Sequence, residues 1–320
     1  MNTSPRPRRR VLHLLGNRED HGGILSVVRS LQEATRPDLT HAVWVHREFV
    51  ARRAPALDLR PSRWARDESA SHLRLLADNL LALPGLLRLL RTESFDLVHG
   101  HTRGAFPPCL FLHRFTAHPV LFTNHTYARR LGLYRQAARL GLPMVLLTPA
   151  MARHYGLTPR PGRVEILSAC CDDSWFSRPL PARPSAPGPR PLRLVGIGNV
   201  ARWKNWHLVL AALAHLPQPL RARLRFELWG PVPADPDAQA YARELAGRIE
   251  ALGLGPQVRV AGPTRDVPAV LAGADAVLVA SDHEPCSVAL IEALASGVPA
   301  VATAYGGNLE ILQDGRKGLR

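Results

Sequence analysis

Residues 281–310, SDHEPCSVALIEALASGVPAVATAYGGNLE, constrain the fold more than any other stretch of this chain. Glu284 and Glu292 stand with seven residues between them. Ser287 is placed to cap a helix, because its hydroxyl oxygen can accept from an amide of the first turn. Val288, Leu290, Ile291, Leu294 and the interleaved alanines make that helix apolar on nearly every side, so a buried helix is expected. Glu292 on such a helix requires a partner for its charge. Glu284 lies just ahead of it, where amides without helical acceptors suit an anion such as a phosphate. As a turn residue, Glu284 is expected to contribute little to stability. Gly297-Val298-Pro299 ends the helix, and Ala300–Thr303 reads as a buried strand. Gly306-Gly307 reads as a turn that a ligand can approach closely.

The rest of the chain repeats this alternation of short apolar run, loop and helix. Val11–Leu15 reads as a strand, followed by Gly22-Gly23 and a helix over Ile24–Leu31. A glycine pair between strand and helix presents backbone amides at a helix start, an anion site in its own right or an ordinary turn. Ala42–Val45 is a second strand. Residues 72–91, HLRLLADNLLALPGLLRLLR, carry leucines at helical spacing with arginines interleaved, and Pro84-Gly85 interrupts them, so a helix pair is expected. That segment suits either core packing or a basic amphipathic surface lying on an anionic membrane. Phe95–His101 is a strand ending in the pair His99 and His101, and Val120–Thr126 is a strand ending in His125-Thr126. Met144–Thr148, with a helix over Pro149–Tyr155, and Val164–Ser168 follow.

Residues 179–191, PLPARPSAPGPRP, form a proline-rich linker. It sets the expected domains at 1–178 and 192–320. Beyond it, Leu192–Ile197 is a strand, residues 198–205 a loop and Trp206–Leu216 a helix. Lys204 in that loop is one of only two lysines in a chain that otherwise uses arginine, and a compact ammonium acts as a point charge on phosphate. Further strands are expected at Arg225–Gly230, Val258–Gly262 and Ala276–Ala280, with helices over 237–252 and 266–271.

With 320 residues the chain is long enough for two cores. No apolar run is long enough to cross a membrane, and the run after Arg6–Arg10 is too short for a signal peptide. Four cysteines without C-x-x-C spacing fit a reducing cytoplasm and no metal framework. The net charge of +15 comes from scattered arginines not clustered with aromatics, which weighs against a nucleic-acid groove. A solvated basic surface and a membrane-facing one both remain open.

The 281–310 stretch resembles the nucleotide-sugar site of retaining glycosyltransferases of the GT-B fold, family 4 type. The shared features are the glutamate pair, the Gly-Val-Pro strand entry, the Gly-Gly turn and a further glutamate, Glu310. The resemblance implies an α/β protein of GT-B architecture, with two Rossmann-like domains facing across a cleft. It implies a hexosyltransferase acting without metal or cofactor on a UDP- or GDP-linked sugar. Glu284 would then hold sugar hydroxyls, Glu292 the ribose, and the backbone of Ser287, Val288, Ala289 and Leu290 the diphosphate. Gly22 and Gly23 would touch the diphosphate from the first domain, and His125 would sit beside the transferred sugar, with Thr126 and His101 near it.

Two departures from the family pattern stand out. The resembled Gly-Arg-Leu, three residues, Lys-Gly motif keeps its lysine as Lys204 but has Asn199 at the arginine, for which Arg202 is a nearby substitute. An Asn-Gly-Val-Asp turn is replaced by Ala169-Cys170-Cys171-Asp172. The family continues beyond the equivalent of Arg320 with a helix crossing back to the first domain, so this chain reads as short at its end. The acceptor would be a glycan, a lipid or a small molecule, as in cell-envelope polysaccharide synthesis. The place would be the cytoplasm, with peripheral contact at the inner face of an anionic membrane and no nucleic acid. A non-catalytic nucleotide-sugar-binding protein and a GT-B epimerase are the alternatives.

Overall fold

The computed structural model describes residues 8–20, 22–51, 56–66, 72–171, 173–176 and 190–313. Packing divides the chain into two units, Met1–Asp172 and Asp173–Arg320. Most of the proline-rich linker, residues 179–189, lies outside the described residues, as do Asp172 and the last seven positions.

The first unit runs β1 (Arg9–Leu14), α1 (Gly23–Ala34), β2 (Leu39–His46), β3 (Asp58–Ser62), α2 (His72–Thr92), β4 (Leu97–Gly100), α3 (Phe106–Phe115), β5 (Val120–Asn124), α4 (Gly132–Arg139), β6 (Met144–Leu146), α5 (Pro149–Tyr155) and β7 (Val164–Ile166). Its sheet has the order β3-β2-β1-β4-β5-β6-β7, every pairing parallel. Parallel strands need crossovers, and the helices supply them while covering the sheet. Leu15, Leu25, Val28, Val43, Val45, Phe49 and Leu57 form one packed cluster between α1 and the β1–β3 end. Strand order reverses between β1 and β4, so the loops after these two strands diverge and leave a crevice for ligands.

The second unit repeats the plan with β8 (Leu192–Ile197), α6 (Trp206–His215), α7 (Gln218–Ala222), β9 (Leu224–Trp229), α8 (Pro236–Ala251), β10 (Val258–Gly262), α9 (Val267–Ala272), β11 (Ala276–Val279), α10 (Val288–Ala295), β12 (Ala300–Ala302) and α11 (Gly307–Leu312). Its sheet order is β10-β9-β8-β11-β12, again all parallel, with the reversal between β8 and β11. The core gathers Trp206, Val209, Leu210 and Leu213 of α6, Phe226 and Leu228 of β9, and Tyr241 and Leu245 of α8.

Three details differ from the sequence expectations. The expected helix pair over 72–91 is one continuous helix, α2, with Pro84 inside it. Pro84 and Gly85 both lie on the exposed face, where water can satisfy the carbonyl that proline leaves without a donor. The strand β3, DLRPS, has no apolar alternation to announce it. It is an edge strand, and Pro61 is tolerated there because an edge leaves one row of amides unpaired. Helix α10 is less buried than its apolar sequence suggests: only Leu290, Glu292 and Ala293 are buried, and the rest of it is half-buried.

Candidate functional site

In the second unit the two loops that flank the strand reversal carry the expected charged residues. The loop after β8 ends in a 3-10 turn, Arg202–Lys204, and Asn205 then takes a left-handed conformation (φ 52°) to open α6. Asparagine tolerates that region better than most residues. The loop after β11 carries Ser281 and Glu284 and leads into α10. Ser287 caps that helix, with the Leu290 amide donating to its Oγ at 3.3 Å. The two loops are tied by the Asp282 amide donating to the Trp203 carbonyl at 3.2 Å.

At this junction Lys204 Nζ donates to Glu284 Oε2 in a short ion pair, with 12% and 9% of the two side chains exposed. Ser281 Oγ donates to the same oxygen at 3.1 Å. The Lys204 ammonium also lies 4.2 Å from the centre of the Trp203 ring. Glu284 is therefore a buried, charge-paired residue rather than the stability-neutral turn residue expected from sequence. Gly307 donates its amide to the Glu284 carbonyl at 3.0 Å, and a Cβ on Gly307 would stand 2.0 Å from the Pro285 carbonyl oxygen. The close backbone approach at Gly306-Gly307 is thus to the chain's own Pro285 turn.

Of the remaining donor-site candidates, Val288, Ala289 and Leu290 form the first turn of α10, and Glu292 is buried on the same helix. Arg202 is not drawn to Lys204. Its guanidinium reaches Glu244 of α8 at 3.0 Å and stacks over the Tyr241 ring at 5.0 Å. Asn199, at the departure from the family motif, accepts from Trp206 Nε1 through its carbonyl at 2.9 Å.

In the first unit Gly22 takes φ 96° immediately before α1, which begins at Gly23. That loop is held by a feature the sequence reading missed. Asp20 and Arg29 form a two-point ion pair, both contacts 2.8 Å, with side chains 0% and 6% exposed. Its only trace in the sequence is an arginine amid the apolar residues of the α1 pattern.

The sequence-predicted histidines His101 and His125 come together with three others. His13 on β1 lies in register with His99 on β4, and all five rings, including His41 of β2, share one sheet face. Hydrogen bonds link Thr35 Oγ1 to His41 Nε2 (2.8 Å), His41 Nδ1 to His13 Nε2 (2.8 Å), His13 Nδ1 to His101 Nε2 (2.9 Å) and His101 Nδ1 to His125 Nε2 (3.2 Å). His99 Nε2 pairs instead with Thr123 Oγ1 at 2.7 Å, its ring 3.9 Å from that of His101.

Burial disfavours the imidazolium in all five rings. It holds His99 down to about 3 and His125 to about 4, and His13 and His101 well below the usual histidine range. His41 is lowered by the same cause. The period-2 placement of His99 and His101 was the signal available in sequence. The contribution of His13 and His41 needed the strand order. Thr126 is fixed beside this row: Tyr155 Oη donates to its carbonyl at 2.7 Å, and its own amide donates to Asn124 Oδ1 at 3.1 Å.

Comparison with known proteins now bears on the second unit directly. Residues 183–319 match the family described as Glycosyl transferases group 1. The chain is 30% identical over 129 residues, 39% of its own length, to Mannosylfructose-phosphate synthase of Agrobacterium fabrum, of which the match covers 28%. It is 24% identical over 299 residues, 91% of its length, to 2-deoxystreptamine glucosyltransferase of Streptomyces kanamyceticus, covering 73% of that protein. Across the first curated relatives the match spans about a third or less of their length, between 28% and 34%.

Among solved structures, HepE of Anabaena in complex with UDP-glucose superposes with a TM-score of 0.70 at 18% identity, over 94% of this chain and 82% of that one. The fold is therefore the two-unit, Rossmann-like α/β fold of GT-B glycosyltransferases. The family match and the relatives' names are those of glycosyltransferases and related sugar-transferring synthases, and the family match lies within the second unit. No helix among the described residues is long and apolar enough to cross a membrane.

Proposed function

We propose that this chain moves a sugar from a nucleotide-sugar donor to a glycan, lipid or small-molecule acceptor, with retention of configuration and without a metal. The observation that carries this reading is the convergence of Lys204, Glu284 and the Ser287-capped start of α10 at the strand reversal of the second unit. The leaving group of such a reaction is a nucleoside diphosphate, and its departure develops negative charge that a nearby cation and oriented amides stabilise. Lys204 supplies the cation. The amides of Val288 and Ala289, which open α10 ahead of the Leu290 amide that Ser287 caps, supply the dipoles.

Glu284 holds Lys204 in the free chain. In the donor complex it accepts from sugar hydroxyls while the ammonium turns to the diphosphate. Glu292, buried on α10, faces the ribose in this reading, and Gly22 and Gly23 at the start of α1 contribute amides to the diphosphate. His125, with Thr126 and His101 beside it, orients the transferred sugar. Arg202 belongs to the donor site only if it leaves Glu244.

The donor is UDP- or GDP-linked; the UDP-glucose bound to the structural neighbour supports the first. We place the chain in the cytoplasm. The exposed leucines Leu76, Leu80 and Leu81 of α2, with exposed Arg74 and Arg88 on the same helix, support a peripheral contact with an anionic membrane. Co-sedimentation with vesicles containing phosphatidylglycerol, abolished by Leu80→Asp, tests that contact.

The decisive experiment measures nucleoside diphosphate release from UDP-, GDP- and ADP-sugars with and without candidate acceptors. Release that requires acceptor and disappears in Glu284→Gln supports transfer. Tight donor binding without release favours the alternative of a non-catalytic nucleotide-sugar-binding protein, and interconversion of the sugar without acceptor favours an epimerase.

A further inference from the structure

The row of histidines in the first unit has a direction. A neutral imidazole donates from one ring nitrogen and accepts at the other, and burial keeps these rings neutral. A chain of such rings therefore has two polarities, and whatever stands at its end chooses between them. At the far end stands Thr35, the residue that follows α1. Its hydroxyl donates to the Leu31 carbonyl at 2.7 Å, so its oxygen offers only lone pairs to His41 Nε2 at 2.8 Å. His41 must then donate from Nε2 and accept at Nδ1. The same assignment passes to His13 through 2.8 Å, to His101 through 2.9 Å and to His125 through 3.2 Å. At the last ring the Nε2–H is committed to His101, and Nδ1 is left as a bare acceptor.

We propose that Thr35, His41, His13 and His101 are positioning residues that lock His125 in its Nε2–H form, so that its Nδ1 accepts a hydrogen bond from a substrate hydroxyl. This rests on the reading that places His125 beside the transferred sugar. The lock has a chemical consequence for recognition. A ring presenting a lone pair binds O–H donors, as on a sugar, and rejects carbonyl and phosphate oxygens, which have no proton to offer. The reverse polarity would present Nδ1–H and invert that preference. The four supporting residues come from β1, β2, the end of β4 and the residue following α1, so the selection at His125 is made on the opposite side of β1 from the loop that carries it.

The test is long-range proton–nitrogen NMR of the full chain labelled with 15N-histidine at neutral pH, with rings assigned by single His→Gln variants. The expected result is one tautomer, Nε2–H, at His41, His13, His101 and His125. Thr35→Val keeps the shape of the side chain and removes the terminal acceptor. It should leave His41 and His125 exchanging between both tautomers, while Thr35→Ser restores the single form. With the two polarities equal, the competent population falls to about half, so sugar transfer falls about two-fold with donor affinity unchanged.

An Nδ1–H or mixed His125 in the parent chain, or a single unchanged tautomer in Thr35→Val, overturns the lock. So does stoichiometric uptake of Zn2+ by His13, His99 and His101, whose ligand nitrogens lie within 4.8 Å of one another, because a metal would take the lone pairs the chain of hydrogen bonds needs. A chain that shows the lock and releases no nucleoside diphosphate keeps the tautomer assignment and removes the transferase reading.

Discussion

Mild acid should unfold the first unit through its histidines. His13, His99 and His101 are 1%, 8% and 1% exposed, and burial depresses all three. In the unfolded chain each titrates near 6.5, whereas in the folded chain His99 stays neutral down to about 3. Below pH 6.5 the unfolded state therefore binds more protons than the native one, and stability falls as pH falls. It is fully present above 6.5 and is lost through the window from there down to the folded values. Each ring contributes a slope of about 1.4 kcal/mol per pH unit once its unfolded form is charged, so three together reach about 4. Integrated from pH 7 to pH 5, three such rings remove about 6 kcal/mol. That is comparable to the whole stability of an ordinary domain, roughly 5–15 kcal/mol.

Urea unfolding at pH 7, 6 and 5, followed by circular dichroism and localised by hydrogen exchange, reads this directly. The first unit should lose protection between pH 6 and 5, while the carboxylates are still ionised. His99→Leu should flatten the slope by about 1.4 kcal/mol per pH unit. A stability that changes by less than about 1 kcal/mol between pH 7 and 5 would refute the argument, because three neutral buried imidazoles cannot titrate silently.

Three further outcomes follow from the geometry. Glu284→Leu leaves the Lys204 ammonium in a site about nine-tenths closed and should cost about 3–5 kcal/mol, whereas adding Lys204→Met should recover most of it; urea midpoints of the parent, Glu284→Leu, Lys204→Met and the double variant give the coupling, and additive losses would show that the pair is not formed in solution. Lys204→Ala should weaken binding of the nucleoside diphosphate by about 1.5–3 kcal/mol and of the nucleoside far less; equal losses by calorimetry remove Lys204 from the phosphate site. Arg29→Met removes the two contacts that Arg29 makes to the buried Asp20 carboxylate and should destabilise the chain by about 3–5 kcal/mol; if thermal unfolding is unchanged, that pair does not anchor the loop before α1.

Local elements and the residue types they carry were legible in the amino-acid order. Ser287 caps α10 where its spacing placed it, and Leu192–Ile197 and Val258–Gly262 are strands as expected, because caps and short apolar runs depend on neighbours within a few residues. Lys204 and Glu284 were legible as charged residues in strand-end loops. That they bond each other, eighty residues apart, was not, since it follows from β8 and β11 lying side by side at the strand reversal.

The same reason hid most of the histidine row. A period of two shows that His99 and His101 share a face, but nothing local relates them to His13 or His41, which arrive through the order β2-β1-β4. Tertiary structure also decided charge and burial. It closed Glu284 into an ion pair, turned Arg202 to Glu244 and paired Asp20 with Arg29. Water is excluded from a group by what packs around it, and what packs around it comes from elsewhere in the chain.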